Sequence, residues 1–199
     1  MGNFQILSFK ILRVVNLSKL PIDLPIPKDD GTAKHLEGSR LPNIQLKSTD
    51  GNLVNMNSLD GWHAVYIYPM TGQPNVPLPD GWDSIPGARG CTPQSCSFRD
   101  YFDELDALNV KVYGISTQTT EYQREAKKRL HLPFELLCDS QLHLKSTLNV
   151  PTFSVAKLEL YKRLTMIINN DQIVKIFYPV FPPDKNAEEV IKWLKNDRS

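Results

Sequence analysis

Two short apolar runs constrain the fold most: "HAVYIYP" at residues 63–69 and "VKVYGIST" at residues 110–117. Each is short and nearly continuous, which reads as a strand buried on both faces. Between them "SFRDYFDELDALN" carries Phe98, Phe102, Leu105 and Leu108 at helical spacing. The alternation continues downstream. "TEYQREAKKRLH" is a second, very polar helix, "FELLCD" a short strand and "QLHLKSTLNV" a brief helix. "RLTMIINNDQIVKIFYP" alternates on both sides of Asn169-Asn170-Asp171, so it predicts a hairpin. "NAEEVIKWLKN" closes the chain as an amphipathic helix with Val190, Trp193 and Leu194 on one face. Upstream, "NIQLKSTDGNLVNM" alternates around Asp50-Gly51, a hairpin turn signal.

Strands alternating with helices predict a three-layer α/β/α domain. The hairpins add antiparallel strands, so the central sheet should be mixed, with an N-terminal β-hairpin. The pattern is compatible with a thioredoxin-like fold but does not single it out. The domain is expected over residues 41–199, and residues 1–40 form an N-terminal extension. Within that extension "LPIDLPIPKDDG" is Pro-rich and reads either as an extended segment, because each Pro restricts φ and lacks an amide donor, or as disordered chain. Ile22, Leu24 and Ile26 are its candidates for packing on the domain.

The bulk properties exclude several classes. The 199 residues suffice for one domain with a real core. A net charge of +1 leaves no overall electrostatic footprint for nucleic acid. No apolar run reaches the ~20 residues of a membrane span. The first twenty residues are mildly apolar, but Lys10 and Arg13 interrupt them, which argues against a secretory leader. Ile6 stands where N-myristoylation wants Ser or Thr. Three cysteines do not make a disulfide scaffold, and the odd count leaves a thiol free. A reducing, cytoplasmic setting is expected.

Two of those cysteines, Cys91 and Cys96, lie in "GARGCTPQSCSFRD". Cys91 follows Gly90 and precedes Thr92-Pro93, and Pro favours a first helical turn. Free amides and the helix dipole at that end favour a thiolate over a thiol. Arg89 adds positive charge nearby. In a regular helix, residues i and i+5 have Cα atoms roughly 8–9 Å apart, pointing about 140° from each other. A disulfide tolerates about 7 Å. Either the pair never bonds, or the first turns unwind to let it bond. The spacing is not a metal pattern, and His131 and His143 are scattered surface residues.

With those residues in view, the chain resembles a peroxiredoxin of the Q type, also called bacterioferritin-comigratory protein. "GCTPQSCSFRD" is similar to that family's "GCTxxxCxFRD". The opening hairpin with "HAVYIYP", the strand "LNVKVYGIST", the segment "LPFELLCDSQLHLKSTLNV" and "YKRLTMIINNDQIVKIF" resemble the family's corresponding segments. The similarity runs from about residue 41 to the C-terminus.

The resemblance implies a thiol-dependent peroxidase acting on hydrogen peroxide and organic hydroperoxides. Cys91 would be the peroxidatic thiolate, Cys96 its resolving partner in an intramolecular disulfide, and Arg163 the active-site arginine. A thioredoxin-like dithiol would recycle the disulfide. No metal or organic cofactor is implied. The family includes monomers and homodimers.

The chain departs from the family pattern PxxxTxxC. Ala88 occupies the threonine position three residues before Cys91. Pro69 and Thr71 match the Pro and Thr in type, but "TGQPNVPLPDGWDSIPGARG" intervenes as an insertion. Thr71 folds back on Cys91, or Thr92 serves, or no hydroxyl is used. The insertion reads as a lid contributing Trp82 and Ile85. Cys138 is expected to be a structural thiol. Arg99 is expected either to pair with Asp103 or to serve as a second cation. A non-enzymatic redox sensor or binding protein, using the Cys91–Cys96 pair as a switch, is the competing reading. A disulfide oxidoreductase fits less well, because that chemistry uses the tighter CxxC.

Overall fold

The computed structural model describes Leu17 and residues 19–198. The N-terminal stretch read above for leader and lipidation signals, residues 1–16, lies outside the described residues. In chain order the elements are β1 (Gln45–Ser48), β2 (Leu53–Asn55), β3 (Trp62–Ile67), α1 (Cys91–Asp100), α2 (Phe102–Ala107), β4 (Val110–Ser116) and α3 (Thr120–Leu130). They continue with β5 (Glu135–Cys138), α4 (His143–Leu148), β6 (Thr152–Val155), β7 (Leu158–Tyr161), β8 (Leu164–Asn169), β9 (Gln172–Phe177) and α5 (Asn186–Asn196).

Seven strands form one mixed sheet in the order β2-β1-β5-β4-β3-β8-β9. β3, β4 and β5 are parallel neighbours, while β8, β9, β1 and β2 pair antiparallel. The steps β3–α1–β4 and β4–α3–β5 move the same way across the sheet. Right-handed crossovers therefore put α1 and α3 on one face.

The two-residue period of the strands divides the core. Val65 and Ile67 of β3, with Met166 and Ile168 of β8, point to one face, against Leu36, Leu41 and Leu144. Ala64, Tyr66 and Ile167 point to the other, against Phe98, Leu105, Val190, Ile191 and Leu194 of the helices. Both faces are covered, which is why β3 reads as a continuous apolar run. Gly114 of β4 is required by contact: a Cβ there would stand 2.6 Å from both Tyr66 and Leu136.

Four expectations are corrected. The packing begins before residue 41, because Ala33 and Leu36 are buried in the core and Arg40 bridges to Gln172. In the Pro-rich segment Ile22 is fully exposed and Ile26 is 67% exposed, while Leu24 and Pro27 are partly covered. An additional hairpin, β6–β7, forms a separate two-stranded sheet. Finally, the helical segment after Cys91 breaks at Tyr101 into α1 and α2.

Candidate active site

Cys91 is the first residue of α1, and Gly90 caps the helix at φ 106°. That left-handed conformation suits glycine. The site also excludes a side chain, since a Cβ on Gly90 would lie 2.3 Å from Pro183. The Cys91 side chain is buried at 3% exposure. Its sulfur accepts the Met70 N–H at 3.4 Å and an Arg163 Nη2–H at 3.2 Å. As a thiol it donates to the Ala88 carbonyl at 3.6 Å. Two donors and a helix N-terminus converge on one sulfur.

Arg163 stands immediately before β8 and is 3% exposed. β8 lies beside β3 in the sheet, so the register carries residue 163 to the same end as Tyr68–Met70. Arg163 Nη2 is shared with the carbonyls of Gly87, Ala88 and Arg89 at 3.1–3.2 Å. Nη1 donates to Gln94 Oε1. Gln94 Nε2 donates to Asn186 Oδ1 at 3.0 Å, and Thr165 Oγ1 donates to the same oxygen at 2.6 Å. A buried polar chain thus runs from the Cys91 sulfur to the start of α5. Each link fixes the orientation of the one before it.

Pro69 is buried just beyond β3 and leads into Met70 and Thr71. Thr71 is 1% exposed, and its backbone N–H and hydroxyl both donate to Gln118 Oε1, at 2.9 and 3.1 Å. Gln118 Nε2 returns a bond to the Thr71 carbonyl at 3.1 Å. The Thr71 hydroxyl is thereby engaged by Gln118, while its neighbour Met70 reaches the sulfur through backbone. Thr92 is buried in the first turn of α1. In the insertion, Trp82 is buried with Ala88 and Leu160, and Ile85 packs against them. Arg89 is buried and donates to Asp83 at 3.4 Å.

Cys96 is half-buried on the same unbroken helix, and all three cysteines are free thiols. Burial pushes the Cys96 thiol above its ordinary range, partly offset by Arg99. Arg99 pairs with Asp100 at 2.8 Å, not with Asp103, and donates to the Leu130 carbonyl at 2.9 Å. Cys138 ends β5, opposite Lys47 in the sheet. His131 and His143 are exposed. Among the described residues no three His, Cys, Asp or Glu side chains are grouped to hold a metal ion. Among the same residues no helix is long and apolar enough to cross a membrane.

The redoxin family profile matches residues 36–191, most of the chain. The chain is a redoxin of the peroxiredoxin Q type. It is accordingly a thiol-dependent peroxidase. A chloroplastic peroxiredoxin Q of Sedum lineare is 29% identical over 174 residues, covering 86% of this chain and 84% of that one. One from Oryza sativa subsp. japonica is 30% identical over 162 residues, covering 80% and 67%. Among solved structures, a PrxQ of Xylella fastidiosa superposes with TM-score 0.66 at 20% identity, covering 82% of this chain and 97% of that one. The peroxidoxin BcpB of Mycobacterium tuberculosis gives TM-score 0.65 at 22% identity, covering 82% and 98%. These likenesses establish the thioredoxin-like fold.

Sequence reasoning did not single out Gln94, Asn186, Thr165 or Gln118 in this peroxiredoxin. Gln94 had a usable signal, since it lies three residues after Cys91 on the same helical face. Asn186 had none, because only the docking of α5 brings it to Gln94. The Met70 contact is made by backbone and leaves no mark in residue type.

Proposed function

We propose that this peroxiredoxin reduces hydrogen peroxide and organic hydroperoxides at Cys91 in a reducing, cytoplasm-like compartment. The observation that carries the reading is the Arg163 guanidinium 3.2 Å from the Cys91 sulfur at the start of α1. The Cys91 thiolate attacks the terminal peroxide oxygen. An S–O bond forms as the O–O bond breaks, and the leaving oxygen takes a proton as water or alcohol. Arg163 holds the thiolate and stabilises the charge that develops on the peroxide oxygens. Pro69 is buried directly before Met70 and fixes the chain that presents the Met70 N–H to the sulfur. Thr71 acts as a positioning residue, with Gln118 holding Met70 N–H on the sulfur.

Cys96 then displaces hydroxide from the Cys91 sulfenic acid, forming an intramolecular disulfide. The intact helix keeps the two apart, so this step needs the first turns of α1 to unwind. A thioredoxin-like dithiol restores both thiols by disulfide exchange and is itself oxidised.

The test is stopped-flow tryptophan fluorescence of the reduced protein mixed with hydrogen peroxide. A fast phase absent in Cys91→Ser, followed by a slower phase absent in Cys96→Ser, is the expected result. Oxidation no faster than a free thiol would overturn the assignment.

A further inference from the structure

The N-terminal segment lies across the turn that leads into Cys91. A Cβ on Gly90 would meet Leu20 at 3.0 Å as well as Pro183, and one on Gly87 would meet Pro27 at 3.6 Å. Leu24 and Pro25 line a narrow crevice with Ile85, Gly87, Arg89 and Pro183. At the start of the insertion, a Cβ on Gly72 would stand 2.7 Å from Leu17. Leu17, Leu20 and Leu24 are partly covered, whereas Ile22 and Ile26 face solvent. The segment is pinned at its far end by Asp30, which accepts from Lys162 Nζ at 2.5 Å and from Tyr178 Oη at 2.8 Å. Residues 20–30 lie outside the matched residues 36–191.

The segment is held by side chains. Among the described residues no backbone hydrogen bond joins residues 20–28 to the rest of the domain. A segment held in this way lifts without disturbing the sheet. Pro21, Pro25 and Pro27 narrow its backbone freedom, so it loses less entropy on settling back. The turn beneath it must move in the second half of the reaction. Cys91 and Cys96 stand on one unbroken helix, and their disulfide requires the first turns of α1 to open. Within the domain that opening breaks the Gln94–Asn186 and Tyr66–Ser95 hydrogen bonds. It also carries the Gly90 cap away from Leu20, so the segment above is displaced with it.

We propose that residues 20–30 are a strap that clamps the Gly87–Gly90 turn and slows the resolution of oxidised Cys91 by Cys96. The inference rests on the peroxidase mechanism proposed above and adds a control on its second step. While the strap is seated, α1 stays wound and the Cys91 sulfenic acid persists. That acid has two fates. After release, the Cys96 thiolate attacks the Cys91 sulfur. An S–S bond forms as the S–O bond breaks, and the departing hydroxide takes a proton as water. Before release, the Cys91 sulfur attacks a second peroxide. A new S–O bond forms as the O–O bond breaks, giving the sulfinic acid and water or alcohol. The strap therefore sets the peroxide concentration at which Cys91 passes to sulfinic acid.

The experiment mixes the reduced full-length chain with hydrogen peroxide and follows the fast and slow fluorescence phases in wild type, Leu20→Ser, Asp30→Ala and the double variant. Mass spectrometry reads the sulfinic acid formed at Cys91 across a peroxide series. Val150→Ala controls for a general loss of stability, since Val150 is buried in the core on the face of the sheet away from α1. In the double variant the slow phase should quicken about tenfold, with the fast phase within about threefold of wild type. About tenfold more peroxide should then be needed for the same sulfinic yield. Val150→Ala should alter neither. A slow phase unchanged in the double variant, or quickened equally by Val150→Ala, overturns the strap and leaves the mechanism at Cys91 standing. A quickening confined to the fast phase also overturns it, because the segment would then be a barrier to peroxide entry. Absence of any Cys96-dependent phase in wild type overturns the resolving step, and the strap with it.

Discussion

Arg163 Nη2 lies 3.2 Å from Cys91 Sγ across a sequence separation of 72 residues. The same nitrogen is shared with three consecutive backbone carbonyls, Gly87 to Arg89. The arginine therefore does two things at once. It supplies charge to the sulfur and it sets the turn that delivers Cys91 to the head of α1.

Arg163→Lys should consequently fail as a conservative change. An ammonium is a compact point charge and cannot reproduce the fork that reaches Gln94, the carbonyls and the sulfur together. Cys91 oxidation by hydrogen peroxide is expected to slow by about 10²–10³-fold, the scale of losing a preorganised donor. Stopped-flow rates on folded protein measure this. A rate within a few-fold of wild type would place the essential charge elsewhere.

Asn186→Ala should weaken the protein as well as the site. It leaves Gln94 Nε2 and Thr165 Oγ1 buried without their shared acceptor. Each orphaned polar group costs about 1–3 kcal/mol. Urea denaturation should show a lower midpoint with an unchanged slope, and Cys91 oxidation should slow because Gln94 no longer holds Arg163. A variant with wild-type midpoint and rate would show the chain of bonds to be dispensable.

Cys96 should be a poor nucleophile while α1 is intact. Its thiol is half-buried, and burial raises it above the ordinary 9.0. In Cys91→Ser, alkylation by iodoacetamide at pH 8 is expected to lag behind a free cysteine and to climb only at higher pH. In Cys96→Ser, mass spectrometry should find Cys91 carrying one added oxygen after peroxide and no intramolecular disulfide. Rapid alkylation at pH 8 would show that helix opening is already frequent.

His63 makes stability depend on pH. It is 2% exposed on β3, stacked on Tyr113, and burial lowers its proton affinity below the ordinary 6.5. Between that depressed value and 6.5 the unfolded chain binds the proton and the folded chain does not. Its contribution is thus present above 6.5 and is lost as pH falls toward the folded value, by at most about 1.4 kcal/mol per unit. Chemical denaturation of wild type and His63→Phe between pH 8 and 5 tests this: the gap between the two curves should narrow or reverse on the acid side. Parallel curves would count against it.

Local chemistry explains which elements were legible. Asp50-Gly51 marked its turn because Gly51 takes φ 100°, a conformation that glycine adopts freely. The β6–β7 hairpin was missed because its turn is made by Ala156 and Lys157, both at positive φ, with no Gly, Asn or Asp to announce it. The break at Tyr101 has no Pro or Gly beside it. Ile22 and Ile26 looked like packing residues by type, yet the extended segment turns Leu24 and Pro27 inward instead.

The sequence by itself determined the strand and helix order, the place of Cys91 at a helix start and the resemblance that nominated Arg163. Those follow from periodicity and short-range chemistry, which act between neighbours in the chain. Only the tertiary structure decided that Met70 offers backbone rather than side chain to the sulfur, that Gln118 engages Thr71, and that Asn186 and Gln94 hold the arginine. It also decided that residues before position 36 lie across the turn leading into Cys91. These are contacts between distant segments, set by how β3, β8 and α5 pack, and residue type alone does not encode which of many buried polar groups will meet.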